Sequence, residues 1–559
     1  MFSNVRLTMA WLHTWFGLVL GFVLMVVFFF GALSVFDREI DRWAIPASRF
    51  APQPMPSFDQ VLRPVFEGMQ PTQESVDLMR SRVNGPMPER FDTVRSWGAY
   101  TTHRDPVLGL FAGYVLPNAK DPEDGVWGNR TIDPRSGAAL PDDRLKIGSQ
   151  FFYPLHYSLN LNWMSLGTWI VGFAALMMLA ALVSGVVMHR KIFREFFTFR
   201  PRKATQRSAL DLHNMTGVVA LPFHFFFAFT GLVIFAGVYF PVGHTQLNPL
   251  HELHEKLEAQ ETGLPHDRAG VAAPLASVDA MVAQAQRRWH DKGMAGEVGF
   301  LSLQHVGDAN GYVSVYRAGT DRIALVGEGI HFKASTGELL REDPPQTAVD
   351  SVNEFLTGLH LQHFRHWLLR WFYVLGGLAG CVCIATGFVF FVEKRKKQHA
   401  KQGIQGARLV DALAVATVTG MLVAAAGMLV ANRLLPDSLP AGWPGRGDLE
   451  RYSFWASWAL ALGHALWRSA PVAQGRTNPA WREQCVAVAV LAVLAVALNW
   501  LTTGDHLLKT LGAGYWPVAG VDLFLLASAA TAALVARKLR LRTAGRALGP
   551  LAPQETAHA

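Results

Sequence analysis

The sequence has little charge and little cysteine. Only 17% of its 559 residues are charged, whereas soluble domains average about 25%. The three cysteines, Cys381, Cys383 and Cys485, have no spacing that predicts a disulfide framework or a cysteine metal site. There is no GxGxxG turn, Walker loop or Ser-His-Asp elbow, so we expect no nucleotide site of the chain's own.

Instead, the sequence has long apolar runs without Asp, Glu, Lys or Arg. They are 7–36, 147–189, 371–392, 412–432 and 484–504. Each is long enough for the roughly 20 residues that span a bilayer, so the runs predict an integral membrane protein. The first run lacks a convincing cleavage site, and we expect a retained span rather than a signal peptide.

The runs predict a mainly α, polytopic fold with eight transmembrane helices, four in a core and four C-terminal. In chain order we expect helix 1 at 1–36, a polar domain at 37–150, helices 2 and 3 at 151–240 with a basic loop at 189–211, a second polar domain at 241–362, helix 4 at 363–392, four helices at 408–536 and a basic tail at 537–559. The net charge of +8 comes largely from short loops, which indicates the positive-inside bias rather than a nucleic-acid partner. Both termini are therefore expected in the cytoplasm and both polar domains outside, in a bacterial periplasm.

The two polar regions are predicted to be small α+β domains. In the second, 277–289 has the apolar spacing of a helix, and 298–303 and 312–316 alternate as strands do. Residues 330–339 then predict a strand, a turn at Gly337 and another strand. The first region has a helix candidate at 58–68 and a similar strand and turn at 131–140.

The first 400 residues or so contain a duplication. Spans 1 and 3 match at a constant offset of 200, with Leu12, His13, Gly17, Phe29 and Gly31 against Leu212, His213, Gly217, Phe229 and Gly231. Spans 2 and 4 match at an offset of 204, with Leu155, His156, Trp163 and Gly172 against Leu359, His360, Trp367 and Gly376. A fixed offset indicates two copies of a span–domain–span unit.

Each of the four duplicated spans begins with Leu-His. His13 and His213 begin spans at the predicted cytoplasmic face, and His156 and His360 at the predicted outer face. Neutral imidazole is an axial ligand of haem iron, and helix bundles build such sites from inward side chains on facing helices. Two histidines at each face therefore predict two haems, one near each surface of the bilayer.

Several individual roles stay open. Gly17 and Gly217 would let a porphyrin approach the backbone, but a histidine at a helix entrance is also a common interfacial residue. His189 ends span 2 and could replace His13 as a ligand, and either His363 or His366 could replace His360 at the outer site.

His224 is set apart because its counterpart in the first half is Leu24. It follows His213 by eleven residues, which in a helix returns to nearly the same face. An intramembrane histidine is a functional candidate, so His224 is a ligand, a proton-transfer group or a buried polar residue.

The motifs LHTWFG, LHYSL, LHNMTGVVALPF and GLHLQHF, with DPRSG and KASTGE turns in the polar regions, resemble the PepSY-associated transmembrane family of bacterial inner-membrane proteins. Some members are di-haem siderophore reductases. The resemblance implies PepSY-like periplasmic domains and haem ligation by His13, His156, His213 and His360. The chain departs from simpler members in its four additional spans, 412–536.

Three functional hypotheses follow. The first is a haem-b reductase with two haems, which takes electrons from membrane quinol or a cytoplasmic donor and reduces a ferric siderophore or other Fe(III) chelate. No catalytic residue is assigned. The second is a PepSY-type peptidase-binding or sensory membrane protein without redox activity. The third is a transporter, which the scarcity of charge in the last four spans disfavours.

Overall fold

The computed structural model describes residues 4–101, 105–120, 124–141, 144–188, 199–201, 203–239, 263–319, 322–323, 329–344, 346–362, 364–440, 442–469 and 478–547. The chain divides into two compact units. The helical unit comprises Met1–Pro46, Asp143–Phe229 and Trp371–Ala559, and the sheet unit comprises Ala47–Asp142 and Thr230–Arg370.

The helices of the described residues follow in chain order. They are α1 (Val5–Val19), α2 (Gly21–Ser34), α3 (Asp37–Ala44), α4 (Arg63–Glu67), α5 (Gln73–Met79), α6 (Tyr153–Tyr157), α7 (Leu166–Met188), α8 (Thr205–Val219), α9 (Leu221–Ile234), α10 (Ala236–Tyr239), α11 (Val278–Asp291), α12 (Ala348–Leu361), α13 (Trp367–Lys401), α14 (Gly406–Val415), α15 (Met421–Leu434), α16 (Arg446–Arg468), α17 (Ala480–Thr503), α18 (Leu507–Gly512) and α19 (Trp516–Ala547). One-turn π-helical segments lead into α4, α6 and α15, at Phe58–Leu62, Ile147–Phe152 and Ala416–Gly420.

Within the described residues, five helical segments are long and apolar enough to cross a bilayer. They are Trp163–Met188, Trp367–Lys401, Gly406–Leu434, Ala480–Thr503 and Trp516–Arg542. Two bent pairs, α1 with α2 and α8 with α9, would raise the number to seven. One of the four helices predicted within 408–536, expected at about 452–467, lies in α16. The first turns of α16 carry four charged side chains, so the count of eight stays a prediction.

The two bent pairs repeat each other. The chain turns by 60° between α1 and α2 and by 63° between α8 and α9. The breaks fall at Leu20 and Ala220, which are 200 residues apart like the rest of the duplication. Pro222 follows the second break and removes a backbone donor there, which is a common cause of a helix kink.

The core of the helical unit joins its first and last parts. Phe30 on α2 packs against Phe152 and against Phe454 on α16, with ring centroids 5.2 and 5.9 Å apart. Trp43 at the end of α3 is fully buried and donates from Nε1 to Oδ1 of Asp522 on α19 at 2.8 Å. The C-terminal helices are therefore packed against the N-terminal segment and are not a separate unit.

The sheet unit is built on one antiparallel sheet of seven strands. In chain order these are β1 (Val94–Tyr100), β2 (Leu108–Val115), β3 (Gly125–Ile132), β4 (Val298–Gln304), β5 (Tyr312–Arg317), β6 (Gly329–Lys333) and β7 (Leu339–Glu342). The spatial order is β3-β2-β1-β4-β5-β6-β7. Buried side chains of one face, including Trp97 and Phe332, share a core with Phe58 and with Trp289 of α11.

The local predictions for the polar regions agree with the observed elements. Helix α11, strands β4 and β5, and the β6–β7 turn match the predicted elements closely, with φ of +74° at Gly337 and +75° at Gly137. The expectation of two separate small domains differs from the structure, because β1 pairs with β4 and joins both regions in one sheet. The pairing removes an exposed edge from each half, and exposed edges favour aggregation.

A buried carboxylate fastens one loop of the sheet unit. Asp308 accepts hydrogen bonds from the backbone N–H groups of Ala269, Gly270 and Asn310 at 2.8 to 2.9 Å. Burial alone would raise the pKa of Asp308, but these donors and Arg268 together bring it below its ordinary value.

Candidate functional site

A cavity of about 380 Å³ lies inside the helical unit. Helices α1, α2, α7, α8, α9 and α13 form its walls. The volume is within the roughly 300–1,000 Å³ of ligand sites, and the walls are mostly apolar. His13, His213 and His224 line this cavity, so the predicted same-side placement of His213 and His224 is confirmed despite the bend between α8 and α9.

The two predicted cytoplasmic-face histidines lie next to each other. The ring centroids of His13 and His213 are 6.1 Å apart and their planes are nearly perpendicular, at 84°. A metal–imidazole bond is about 2.0 Å long, so two rings at this separation are near enough to hold one metal ion together.

Backbone carbonyls orient both rings. Nδ1 of His13 donates to the carbonyl of Ala181 on α7 at 2.9 Å, and Nδ1 of His213 donates to the carbonyl of Cys383 on α13 at 2.8 Å. Because a carbonyl only accepts, Nδ1 of each ring carries a proton, and in the neutral ring the lone pair is on Nε2. This is the tautomer that second-shell hydrogen bonds select in metal-binding histidines.

The supports of the two histidines are themselves repeated. Ala181 and Cys383 are 202 residues apart, and so are Gly185 and Gly387. A Cβ at Gly185 or at Gly387 would lie 3.4 Å from the ring of His13 or His213 respectively. The duplication therefore preserves each histidine together with the surface on which its ring rests.

The predicted porphyrin-facing glycines line the same cavity. Among the described residues, a Cβ at Gly17 would meet nothing within 4 Å, and one at Gly217 would meet only Sγ of Cys383, at 3.5 Å. Gly17 therefore adjoins open space, where a planar ligand could approach the backbone.

Two cations also line the cavity and were missed in the sequence analysis. Lys394 and Arg395 lie on α13, seven and eight residues after Gly387, which puts all three on one face of the helix. The guanidinium of Arg395 stacks 4.0 Å from the ring centroid of Phe391. The helical spacing of these residues could have indicated that they share a face, but the sequence analysis attributed the basic run to the positive-inside bias. An apolar cavity with cations at one place in its wall suits an apolar ligand that bears carboxylates.

His156 has the same kind of environment in the helical unit. Its Nδ1 donates to the carbonyl of Val27 at 2.8 Å, and its ring lies against Gly31, where a Cβ would be 2.7 Å from Nδ1. This histidine is therefore held by α2 as His13 is held by α7.

The fourth duplicated histidine, His360, lies in the sheet unit. Its Nδ1 is 2.8 Å from the hydroxyl of Thr230, and its ring is near Gly231, the repeat counterpart of Gly31. Because His156 and His360 belong to different units, their joint ligation of a second metal stays a prediction.

His224 is deeply buried in the cavity wall, with 3% of its surface exposed. Nε2 donates to the carbonyl of Gly376 on α13 at 3.3 Å, and the ring meets Phe28 edge-on at 5.2 Å. Its repeat counterpart, Leu24, lines the same cavity. Of the alternative ligands, His189 and His363 lie outside the described residues, and Nδ1 of His366 accepts a hydrogen bond from the backbone N–H of Leu369 at 3.2 Å.

Fold and site together define a polytopic membrane protein with a histidine-lined cavity inside a duplicated helix bundle. Residues 10–394 match the family described as the PepSY-associated TM region, and the chain belongs to this family. The chain is also similar to the uncharacterized protein PA4219 of Pseudomonas aeruginosa, with 28% identity over 397 residues, which is 66% of this chain and 90% of that protein. The resemblance to the family is thus confirmed, while helices α14–α19 lie beyond the family match.

Proposed function

We propose that this protein is a haem-b reductase of a bacterial inner membrane. It would pass electrons to a ferric siderophore or other Fe(III) chelate in the periplasm and release Fe(II). The observation that carries the proposal is the pair of His13 and His213, whose rings are 6.1 Å apart and whose Nδ1 atoms both donate to carbonyls.

The cavity residues fit a haem in three respects. The two imidazoles could hold the haem iron, Gly17 leaves open space in the cavity, and Lys394 and Arg395 could pair with propionates. A bound haem would supply the one-electron chemistry that the side chains themselves lack. The chain's own part is to orient both ligands, exclude water and balance the carboxylate charge.

Transfer across the membrane needs a second carrier, because the hydrocarbon layer is about 30 Å thick. We assign this place to a second haem with His156 and His360 as expected ligands. The proposal includes eight spans, cytoplasmic termini, periplasmic PepSY-like strands and helices, and a quinol or cytoplasmic electron donor. Reduction would loosen the chelate because Fe(II) prefers hard oxygen ligands less than Fe(III) does.

The experiment uses the full-length protein purified in detergent from haem-replete cells. The protein is reduced anaerobically with a small amount of dithionite, and a ferric siderophore is then added. We expect a reduced b-type absorption that decays on addition, with Fe(II) captured by an Fe(II)-specific dye. The matched Ga(III) siderophore, which has the same shape but accepts no electron, should leave the reduced spectrum unchanged.

Two outcomes contradict the proposal. A colourless preparation would remove the haem and favour the peptidase-binding or sensory alternative. A haem that stays reduced in the presence of each ferric chelate tested would remove the reductase activity. His290→Ala changes an exposed histidine in the sheet unit. This control variant should keep the b-type spectrum of the wild type.

A further inference from the structure

The two halves of the duplicated bundle differ at one buried position in the cavity wall. Leu24 and His224 are repeat counterparts, and both line the cavity. A leucine is the expected residue in an apolar wall, whereas a buried imidazole is costly without a purpose. The histidine at position 224 therefore has a burial cost that the leucine at position 24 does not have, and this cost needs a chemical explanation.

The hydrogen bond of His224 leaves one nitrogen as an acceptor. Nε2 donates to the carbonyl of Gly376, so the lone pair is on Nδ1. In the part of the chain that the structure describes, no group donates to Nδ1 of His224. His224 is thus a buried residue, with 3% of its surface exposed, that lines the cavity and has an acceptor nitrogen without a donor among the described residues.

We infer that His224 takes up a proton when the His13–His213 site is reduced, which rests on the proposed function. An electron that enters an apolar, low-dielectric cavity interacts strongly with nearby charge. Uptake of one proton at Nδ1 offsets the added negative charge. The step balances because a quinol-class donor that gives up one electron also breaks one O–H bond and releases one proton, while the His13–His213 site gains the electron and Nδ1 of His224 gains a proton from solvent as its N–H bond forms.

The other ionisable groups that face the cavity are less suited to this role. Nδ1 of His13 and of His213 already donates to a carbonyl, and the proposed function assigns Nε2 of each ring to iron. The proposed function assigns Lys394 and Arg395 to the haem carboxylates.

The remaining walls add few candidates. Helices α2 and α7 contribute no titratable side chain to the described lining, and α13 contributes Cys383, which contacts His213. Tyr373, also on α13, packs against Phe223 and Phe227 and does not belong to the described lining. His224 is the group that can gain a charge without losing a ligand.

The test is a spectroelectrochemical titration of the full-length protein in nanodiscs between pH 5.5 and 8.5. For the wild type we expect the midpoint potential of one haem to fall with rising pH, by at most about 59 mV per tenfold change in proton activity for a one-electron step. His224→Leu recreates the residue of the first half, and His224→Gln keeps a donor for the Gly376 carbonyl. Both variants should bind haem normally and show a flattened pH dependence, while Leu460→Met, which changes an exposed leucine of α16 outside the described cavity lining, should behave as the wild type.

Wild-type midpoint potentials that do not change with pH would overturn the inference. Normal haem content with an unchanged pH dependence in both His224 variants would overturn the inference and leave His224 a structural residue. Loss of one haem, or a change to a high-spin spectrum, in both variants would make His224 an axial ligand and also overturn it. A wild-type protein without haem would instead overturn the proposed function.

Discussion

Replacement of Gly31 by alanine tests whether the glycine contacts position the histidines. The new Cβ would lie 2.7 Å from Nδ1 and 2.8 Å from Cε1 of His156. To reach an ordinary contact of about 3.4 Å, the ring would have to move by about 0.7 Å, which takes Nδ1 out of hydrogen-bond range of the Val27 carbonyl.

The expected effect on stability is small although the ring moves. Loss of one hydrogen bond costs about 0.5–1.5 kcal/mol. Replacement of glycine by alanine inside a helix stabilises it by up to about 1 kcal/mol. The two effects nearly cancel, so the free energy of unfolding should change by no more than about 1 kcal/mol, and the informative readout is haem content.

The assay is the number of haems per chain, measured as pyridine haemochrome against protein concentration. We expect Gly31→Ala to fall from two haems toward one with nearly normal thermal stability. Gly463→Ala in α16 is the matched control, since a Cβ there meets nothing within 4 Å. Two haems with a wild-type spectrum in Gly31→Ala would refute the reasoning that this contact holds a ligand in place.

Three other substitutions separate the cavity from the rest of the chain. Gly17→Ala adds a methyl group beside open space, so we expect stability to hold or rise while haem content falls, seen in paired unfolding and haem assays. Trp43→Phe removes a donor to buried Asp522 and should lower the free energy of unfolding by about 1.5–3 kcal/mol, measured by thermal unfolding in detergent. Asp308→Asn should lower the local stability around the amides of residues 269, 270 and 310 by about 1–3 kcal/mol. The measurement is faster hydrogen exchange of these amides at pH 7. Because the pKa of Asp308 is lowered in the folded state, its contribution is complete above the ordinary Asp value of about 3.9 and is lost as the pH falls through the folded value. The difference from wild type should therefore shrink in acid.

The duplication explains why part of the site could be predicted from the sequence. His13 and His213 occupy equivalent positions in two copies, and a pseudo-symmetric bundle brings equivalent positions together at one level. The same repeat also accounts for Gly17 and Gly217, which line the cavity.

The remainder depended on features that periodicity does not encode. The pairing of β1 with β4 joins strands about 200 residues apart, and no local pattern distinguishes it from two separate sheets. The breaks at Leu20 and Ala220 lie inside uninterrupted apolar runs, so hydropathy alone does not reveal them. Lys394 was assigned to topology because one basic run can serve both a positive-inside bias and a binding site.

The most direct test of the central claim is chemical rescue of His213→Ala. The account predicts that this variant loses the low-spin spectrum of one haem, and that added imidazole restores it by occupying the space that the side chain leaves between α8 and the ring of His13. The same treatment should leave His290→Ala unchanged. A complete two-haem, low-spin spectrum in His213→Ala without imidazole would contradict ligation by the His13–His213 pair.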